Sequence, residues 1–377
     1  MEELLTNPAK YNIEDSNIAL LGSDLEKNVR EHAGDNDPAW DQAGKKPALR
    51  IWRIEQFHVV DWPKERYGSF YDGDSYIVLH TYKTSQDAEE LSYDLHFWIG
   101  ENSTQDEAAT AAYKTVELDD HLHGLPIQYR EVQDFESSKF LSYFPRFISL
   151  KGGVATGFHH VSAPPPDNTK RLYRVSATGH QLIIREVPPE GSSLVPGDAY
   201  VLDMGNKVWQ LNTKGSVGKE RFKAAEFVTV LTSERQGSCW VTVFDEGGHG
   251  VGVFLSELGL EAIPPPAPKE TISNPSASLY RLSDSTGAVE FTSVNLSRSS
   301  LETQDAFLLD DSCNPNAHAV YVWLGKESSL RERRLALQYA QQFLYKHGAG
   351  ARAHVAVTLV KITQGRETDV FLHALGE

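Results

Sequence analysis

Apolar and polar residues alternate along three short stretches of the chain, at 49–54, 171–175 and 278–282, which read LRIWRI, RLYRV and SLYRL. Alternation with a period of two is typical of a strand that buries one face. The second and third stretches each follow a proline-rich segment, 163–168 and 263–276. Proline fixes φ and removes a backbone donor, so these segments are predicted to be extended linkers. The chain therefore starts a similar strand after each linker.

Three further features follow each of these strands in the same order. An apolar strand begins at Gly73, Gly197 or Gln304, and an aromatic strand follows at 95–100, 207–212 or 319–325. A helix with glutamate in its first turns comes next, in QDEAATAAYK, GKERFKAAEF and RERRLALQYA. This order predicts one unit of roughly 100 residues that occurs three times.

The predicted division of the chain follows from the linkers and the repeated unit. Strands interleaved with one long helix and hairpin-like turns favour α+β domains over a doubly wound sheet. We expect a lead segment at 1–47, repeat 1 at 48–162, repeat 2 at 169–262 and repeat 3 at 277–377.

Charge and composition narrow the classes of function. The net charge is −16, of which residues 1–162 contribute −13, so a nucleic-acid-binding protein is disfavoured. An acidic first third suggests cation binding or a basic partner, although solubility alone would also explain it. The two cysteines predict no disulfide framework, and no apolar run approaches the roughly 20 residues of a membrane span. We expect a cytoplasmic protein.

Acidic residues recur at equivalent places in the three units. An aspartate opens each apolar strand and a glutamate begins each helix; these are Asp74, Asp198 and Asp305, and Glu107, Glu220 and Glu332. A carboxylate that starts a buried strand is costly unless it is paired or binds a metal. Calcium prefers such hard oxygen ligands together with backbone carbonyls. The alternative is that these acids only form turns and helix caps.

Sequence motifs of the common enzyme classes are absent. The chain contains no G-x-S-x-G, H-E-x-x-H, Walker loop or C-x-x-C. His121 and His123, and the pair His159 and His160, have no cysteine or histidine partner at zinc spacing. We therefore expect a protein without enzymatic activity.

The helix predicted within 103–122 carries two acids, Asp119 and Asp120, at its carboxyl end. Carboxylates beside exposed helix carbonyls are repelled by the helix dipole and by each other, so a cation is predicted there. One apolar stripe should face the sheet of its own unit; it consists of Ala108, Ala111, Thr115, Leu118 and Leu122. A second stripe contains Tyr113 and Val116, and it either binds a partner or widens the buried face.

The sequence resembles the gelsolin family at several segments. In repeat 1 these are YGSFYDGDSYIVLHTY, YDLHFWIGENSTQDEAATAAYKTVELDDHL, IQYREVQDFESSKFLSYFPRF and KGGVATGF. The three-unit layout and the lead segment are similar to the severin and fragmin type. The resemblance implies three gelsolin-like domains, each with a mixed central β-sheet flanked by one long and one short helix.

The resemblance also implies a set of calcium ligands. In repeat 1 the family motif matches Gly73, Asp74, Glu107 and Val154. A second calcium, shared with actin, matches Asp119 and the carbonyls of Gly124 and Pro126. The corresponding residues are Gly197, Asp198 and Glu220 in repeat 2, and Gln304, Asp305 and Glu332 in repeat 3.

The function implied by the resemblance is calcium-dependent severing of actin filaments, capping of their barbed ends and nucleation. Tyr113 and Val116 would contact actin, and Arg221 and Lys223 are candidate filament contacts. The stretch that matches the family's first phosphoinositide site keeps only two basic residues, Arg146 and Lys151. Lipid binding is therefore expected to be weak. The alternatives are calcium-dependent capping without severing and a calcium-dependent scaffold for other partners. Actin monomers and filaments are the expected partners of a cytoskeletal protein that is itself monomeric.

Overall fold

The computed structural model describes residues 38–55, 58–85, 87–103, 105–153, 170–178, 181–235, 239–264, 277–285, 290–312, 314, 319–329, 332–333, 336, 340 and 357–376. Residues 1–37 of the predicted lead segment thus lie outside the described residues. The described elements are strands and helices in alternation, which confirms the α+β class.

The strands and helices follow one another in a similar order in each repeat. Repeat 1 contains β1 Ala48–Glu55, β2 His58–Asp61, β3 Ser69–Tyr71, β4 Ser75–Tyr82, β5 Ser92–Ile99, helix α1 Gln105–His121, β6 Ile127–Val132, helix α2 Ser138–Ser142 and β7 Phe147–Leu150. Repeat 2 contains β8 Arg171–Thr178, β9 Gln181–Val187, β10 Ala199–Asp203, β11 Lys207–Asn212, helix α3 Gly218–Glu234, β12 Trp240–Asp245 and helix α4 Val251–Glu257. Repeat 3 contains β13 Ser278–Ser283, β14 Glu290–Val294, β15 Ala306–Asp311, β16 Ala319–Leu324, β17 Thr358–Thr363 and helix α5 Asp369–Ala374.

Strand pairing is equivalent in the three repeats. The strand that follows the repeated aspartate pairs antiparallel with the first strand and with the aromatic strand, as β4 does with β1 and β5. The aromatic strand then pairs parallel with the next strand of its repeat, as β5 does with β6, β11 with β12 and β16 with β17. Each repeat is therefore built on a mixed sheet.

The sheets extend across repeat boundaries. One sheet has ten strands in the order β14-β13-β15-β16-β17-β6-β5-β4-β1-β2, so repeats 3 and 1 join where β17 pairs antiparallel with β6. The other has seven strands in the order β12-β11-β10-β8-β9-β7-β3, so repeats 2 and 1 join where β9 pairs parallel with β7. Backbone hydrogen bonds between strands thus join repeat 1 to each of the other two repeats.

Helices of repeat 1 cover opposite faces of its strands. Neighbouring residues of β1 illustrate this, because Ile51 belongs to an aromatic-rich core with Phe140 of α2, whereas Trp52 belongs to a second core with Leu118 of α1. The predicted inner stripe of α1 is confirmed, since Ala111, Thr115 and Leu118 are fully buried. Because this stripe is buried against the sheet, the opposite side of α1 faces away from the sheet.

Candidate functional site

The carboxyl end of α1 meets a basic side chain from repeat 3. Lys361 of β17 donates to the Oδ2 atom of Asp119 at 3.1 Å, across 242 positions of sequence. Asp119 is only 4% exposed, whereas Asp120 is partly exposed. The cation predicted beside this helix end is therefore present as a lysine from another repeat.

The second carboxylate oxygen of Asp119 lacks a hydrogen bond. Its Oδ1 atom is buried, and no described residue donates to it. The backbone turns back beside it, because the Gly124 N–H donates to the Asp119 carbonyl at 2.9 Å and Gly124 has a φ of 69°. Pro126, just before β6, is buried. A buried carboxylate oxygen without a donor fits the oxygen ligands that calcium takes.

The predicted calcium aspartate of repeat 1 lies at a close backbone approach. Asp74 is fully buried, and its Oδ2 atom accepts from the Tyr76 hydroxyl at 3.2 Å. The Gly73 N–H donates to the Gly152 carbonyl at 2.7 Å, and a Cβ atom at Gly153 would lie 2.5 Å from Asp74 Oδ1. The Gly73–Asp74 pair and the segment before residue 154 therefore converge, as a calcium site requires. The Glu107 side chain and Val154 lie outside the described residues.

In repeat 2 the predicted ligands are already engaged. Asp198 is 9% exposed and forms an ion pair with Arg174. Glu220 caps its helix, because its Oε2 atom accepts from the Val217 N–H at 2.8 Å. Gly197 has a φ of 107°, which favours glycine, and its N–H donates to the Thr213 hydroxyl oxygen at 2.9 Å.

Repeat 3 shows the same arrangement with one departure. Asp305 is 2% exposed and accepts from Arg281 at 2.7 Å. The Glu332 carboxylate accepts from the Ser329 N–H at 2.8 Å, and burial raises the pKa of Glu332 above its ordinary value. Gln304 replaces the glycine of the other repeats, and its side chain is exposed and donates to Glu327 at 3.0 Å.

The predicted ligands thus have partners other than metal in this conformation. Within the described part of the chain, no three His, Cys, Asp or Glu side chains cluster closely enough to hold a metal ion. The aspartates pair with arginine, and Glu220 and Glu332 cap helices, so the turn-and-cap alternative accounts for part of the repeated pattern. The donor set is still one of carboxylates and carbonyls, which suits calcium.

Comparisons with known proteins identify the family. The family model for the gelsolin repeat matches residues 58–141 and 287–372. Gelsolin-like protein 2 of Lumbricus terrestris is 37% identical over 375 residues, which cover 98% of this chain and 99% of that protein. The chain belongs to the gelsolin family. Gelsolin-like protein 1 of the same worm is 40% identical over 85% of this chain and 86% of its own length. Severin of Echinococcus granulosus is 36% identical over 90% and 92%, respectively.

Membership of the gelsolin family confirms the prediction of an actin-binding protein that severs or caps filaments. The absence of enzymatic activity stays a prediction. Among the described helices, none is long and apolar enough to cross a bilayer.

The predicted actin-contacting residues of α1 lie on its outer side. Tyr113 is 44% exposed and Val116 is partly exposed, while Ala111 and Leu118 face the sheet. The outer stripe is therefore accessible on the same helix that ends at Asp119. Contact of Tyr113 and Val116 with actin remains a prediction.

The two basic residues predicted to contact filaments, Arg221 and Lys223, both have partners within repeat 2. Arg221 is exposed, but its Nε atom donates to Ser216 at 2.9 Å, and Arg333 makes the same bond to Ser328 at 3.1 Å in repeat 3. Lys223 pairs with Glu226 one helical turn away. Since the Arg221 bond recurs, a local structural role already explains that residue.

The predicted phosphoinositide residues lie near the connection between repeats 1 and 2. Arg146 is partly exposed, just before β7. Lys151 is exposed, and its backbone N–H donates to Glu186 at 3.0 Å. Two basic side chains make a weak anionic-lipid site, so weak lipid binding stays a prediction.

Sequence reasoning missed four basic residues that contact the predicted ligands. Three are arginines of the first strand of each repeat, Arg53, Arg174 and Arg281, and the fourth is Lys361. The arginines could have been found, because an arginine directly follows an aromatic residue in each of the three opening strands. Lys361 had no such signal, since its contact depends on which strand edges meet.

Proposed function

We propose that this chain severs actin filaments, caps their barbed ends and nucleates assembly under the control of calcium. The observation that carries the calcium step is the contact of Lys361 with Asp119. The predicted actin-shared calcium ligand is held by a residue of another repeat, so freeing it breaks a contact between repeats 1 and 3.

Charge and burial make this contact suitable for a switch. Asp119 and Lys361 have side chains that are 5% and 23% exposed, so water screens their attraction less than it would on an open surface. Each charge compensates the other in this closed conformation. A conformation in which Asp119 bound calcium would leave Lys361 without its carboxylate, and the balance would shift away from the closed form.

Apolar packing accompanies the ion pair. Tyr129 of β6 and Val360 of β17 lie in one core and are paired directly across the strands. Both are at most 5% exposed, so separation of the repeats exposes apolar surface. The closed form is therefore stable without calcium, and differential affinity of calcium and actin for the open form must supply the opposing free energy.

In the open form the chain's own residues would act in a sequence. Repeat 2 would bind the side of a filament, and α1 would then insert its Tyr113 and Val116 stripe between actin subunits and remain as a cap. Asp119 and the carbonyls of Gly124 and Pro126 would hold calcium, which would supply positive charge for an actin carboxylate. The sites of Asp74, Asp198 and Asp305 would take calcium within each repeat. We place this activity in the cytoplasm, on the cytoskeleton.

A capping protein that does not sever is the second candidate. It is favoured by the engagement of Arg221 with Ser216 and of Lys223 with Glu226, because both residues predicted to contact a filament already have partners within repeat 2. In this case α1 would still bind barbed ends, but repeat 2 would not bring it to subunits within a filament.

The test is disassembly of fluorescent actin filaments diluted below their critical concentration, in calcium and in chelator. Faster loss of polymer in calcium alone supports calcium-dependent severing, whereas slower loss supports capping without severing. Asp119→Asn should weaken calcium-dependent binding to monomeric actin about tenfold or more, because it removes a charged ligand. Asp120→Asn is the matched control and should change this affinity little. Equal affinities of wild type and Asp119→Asn in calcium would overturn the role of Asp119.

A further inference from the structure

Three arginines occupy equivalent positions in the three repeats. Each lies on the first strand, directly opposite the residue two places after the repeated aspartate; the pairs are Arg53 with Tyr76, Arg174 with Tyr200 and Arg281 with Phe307. Strand register, rather than chance contact, therefore brings each guanidinium to its aspartate.

In all three repeats the arginine contacts the same carboxylate oxygen. Arg53 reaches Asp74 Oδ2 at 3.4 Å, and Arg281 reaches Asp305 Oδ2 at 2.7 Å. Arg174 donates to the Oδ2 atom of Asp198. The aspartates are at most 9% exposed, so a counter-charge is needed while no metal is bound.

We propose that these arginines are built-in competitors of calcium, and that they set the calcium affinity of each repeat. This inference rests on the proposed calcium dependence. A guanidinium and a calcium ion cannot share one carboxylate without repulsion, so each site must release or displace its arginine when it binds calcium. The arginine stabilises the metal-free repeat and lowers the affinity of the metal for it.

The three repeats differ in where the displaced arginine can bind. Arg53 also pairs with Glu55 and lies over the Trp62 ring, with its Cζ atom 5.0 Å from the ring centroid. Arg281 also pairs with Glu302 at 3.0 Å. These second carboxylates can retain the guanidinium after it leaves the aspartate.

Arg174 has no second ion pair among the described residues, and the residue directly across its strand pair is another arginine, Arg185. Displacement of Arg174 from Asp198 is therefore the most costly of the three. It follows that repeat 2 should bind calcium most weakly, and that removal of its arginine should increase affinity most.

The experiment is calorimetric titration of the intact chain with calcium, comparing wild type with Arg174→Gln. We expect one site to tighten about tenfold, which is the low end of the change that a neighbouring arginine makes to the proton affinity of an aspartate. Arg171→Gln is the matched control, because Arg171 lies on the same strand with a 35% exposed side chain, against 36% for Arg174, and pairs with Glu186 instead. This control should leave calcium affinity unchanged.

A second variant tests whether the gain in calcium affinity comes from the pair of Arg174 and Asp198. Arg174→Gln combined with Asp198→Asn should show no gain over Asp198→Asn alone, because the competition requires the carboxylate. If Arg174→Gln does not fold, as judged by circular dichroism, Arg281→Gln provides the same test with a smaller expected gain.

Failure of this inference is distinguishable from failure of the proposed function. Absence of calcium binding to the wild-type chain would refute the calcium dependence itself. Calcium binding to wild type with unchanged or weaker affinity in the folded arginine variant would refute only the competition.

Discussion

Both junctions of repeat 1 are made by strand pairing, antiparallel with repeat 3 and parallel with repeat 2, but their ion pairs differ. At the junction with repeat 3, β6 pairs with β17 and Lys361 contacts Asp119, a predicted calcium ligand. At the junction with repeat 2, β7 pairs with β9 and Arg185 contacts Glu136 at 2.7 Å. Glu136 is no part of any predicted calcium site. Among the contacts of the described residues, the first junction therefore has the ion pair in which calcium could replace the base.

This difference implies an order of movement. Calcium would weaken the junction of repeats 1 and 3, while the junction of repeats 1 and 2 would keep its ion pair. Glu136 has a fully buried side chain, and it also accepts a hydrogen bond from the Trp98 indole at 3.0 Å. Its carboxylate is therefore stabilised by an ion pair and by a hydrogen bond. We expect repeats 1 and 2 to remain joined when repeat 3 separates.

The largest effect is expected from Arg185→Gln. It leaves the buried Glu136 carboxylate without its ion pair, which costs about 3–5 kcal/mol in the free energy of unfolding. Urea unfolding of the intact chain should show this loss equally in calcium and in chelator. A loss confined to chelator would mean that the second junction is also calcium-dependent.

A smaller effect, conditional on calcium, is expected from Lys361→Gln. In chelator it should cost about 1–2 kcal/mol, because Asp119 loses its partner while Lys361 was already partly exposed. Small-angle scattering should show a larger radius of gyration in chelator, approaching that of wild type in calcium. Lys326→Gln is the control, since the described contacts of Lys326 lie within repeat 3. A closed Lys361→Gln chain in chelator would show that strand pairing alone holds repeats 1 and 3 together.

The smallest effect is expected from Asp134→Asn. Asp134 pairs with Arg185 at 2.9 Å, but its side chain is 46% exposed, so the pair contributes less than about 0.5 kcal/mol. Its φ of 74° is one that asparagine also tolerates, so the substitution removes charge without backbone strain. Urea unfolding should give nearly the wild-type midpoint. A loss comparable to that of Arg185→Gln would place the strength of this junction in Asp134 rather than in Glu136.

Much of the local structure follows from short-range patterns. The opening strands are predicted by alternation, and α1 by its apolar stripe, with Ala111 and Leu118 facing the sheet as expected. The candidate sites are marked by the recurrence of Asp74, Asp198 and Asp305 at the starts of equivalent strands. These features are predictable because each depends on residues a few positions apart.

The junctions could not be predicted in this way. The sequence determined three similar units, their acids and the need for a cation at the end of α1. The tertiary structure alone decided that this cation is Lys361, because the contact requires β17 to pair with β6 in one register. Pairing between strand edges of separate units depends on which edges remain free once each unit has folded, and periodicity within a strand carries no information about that choice.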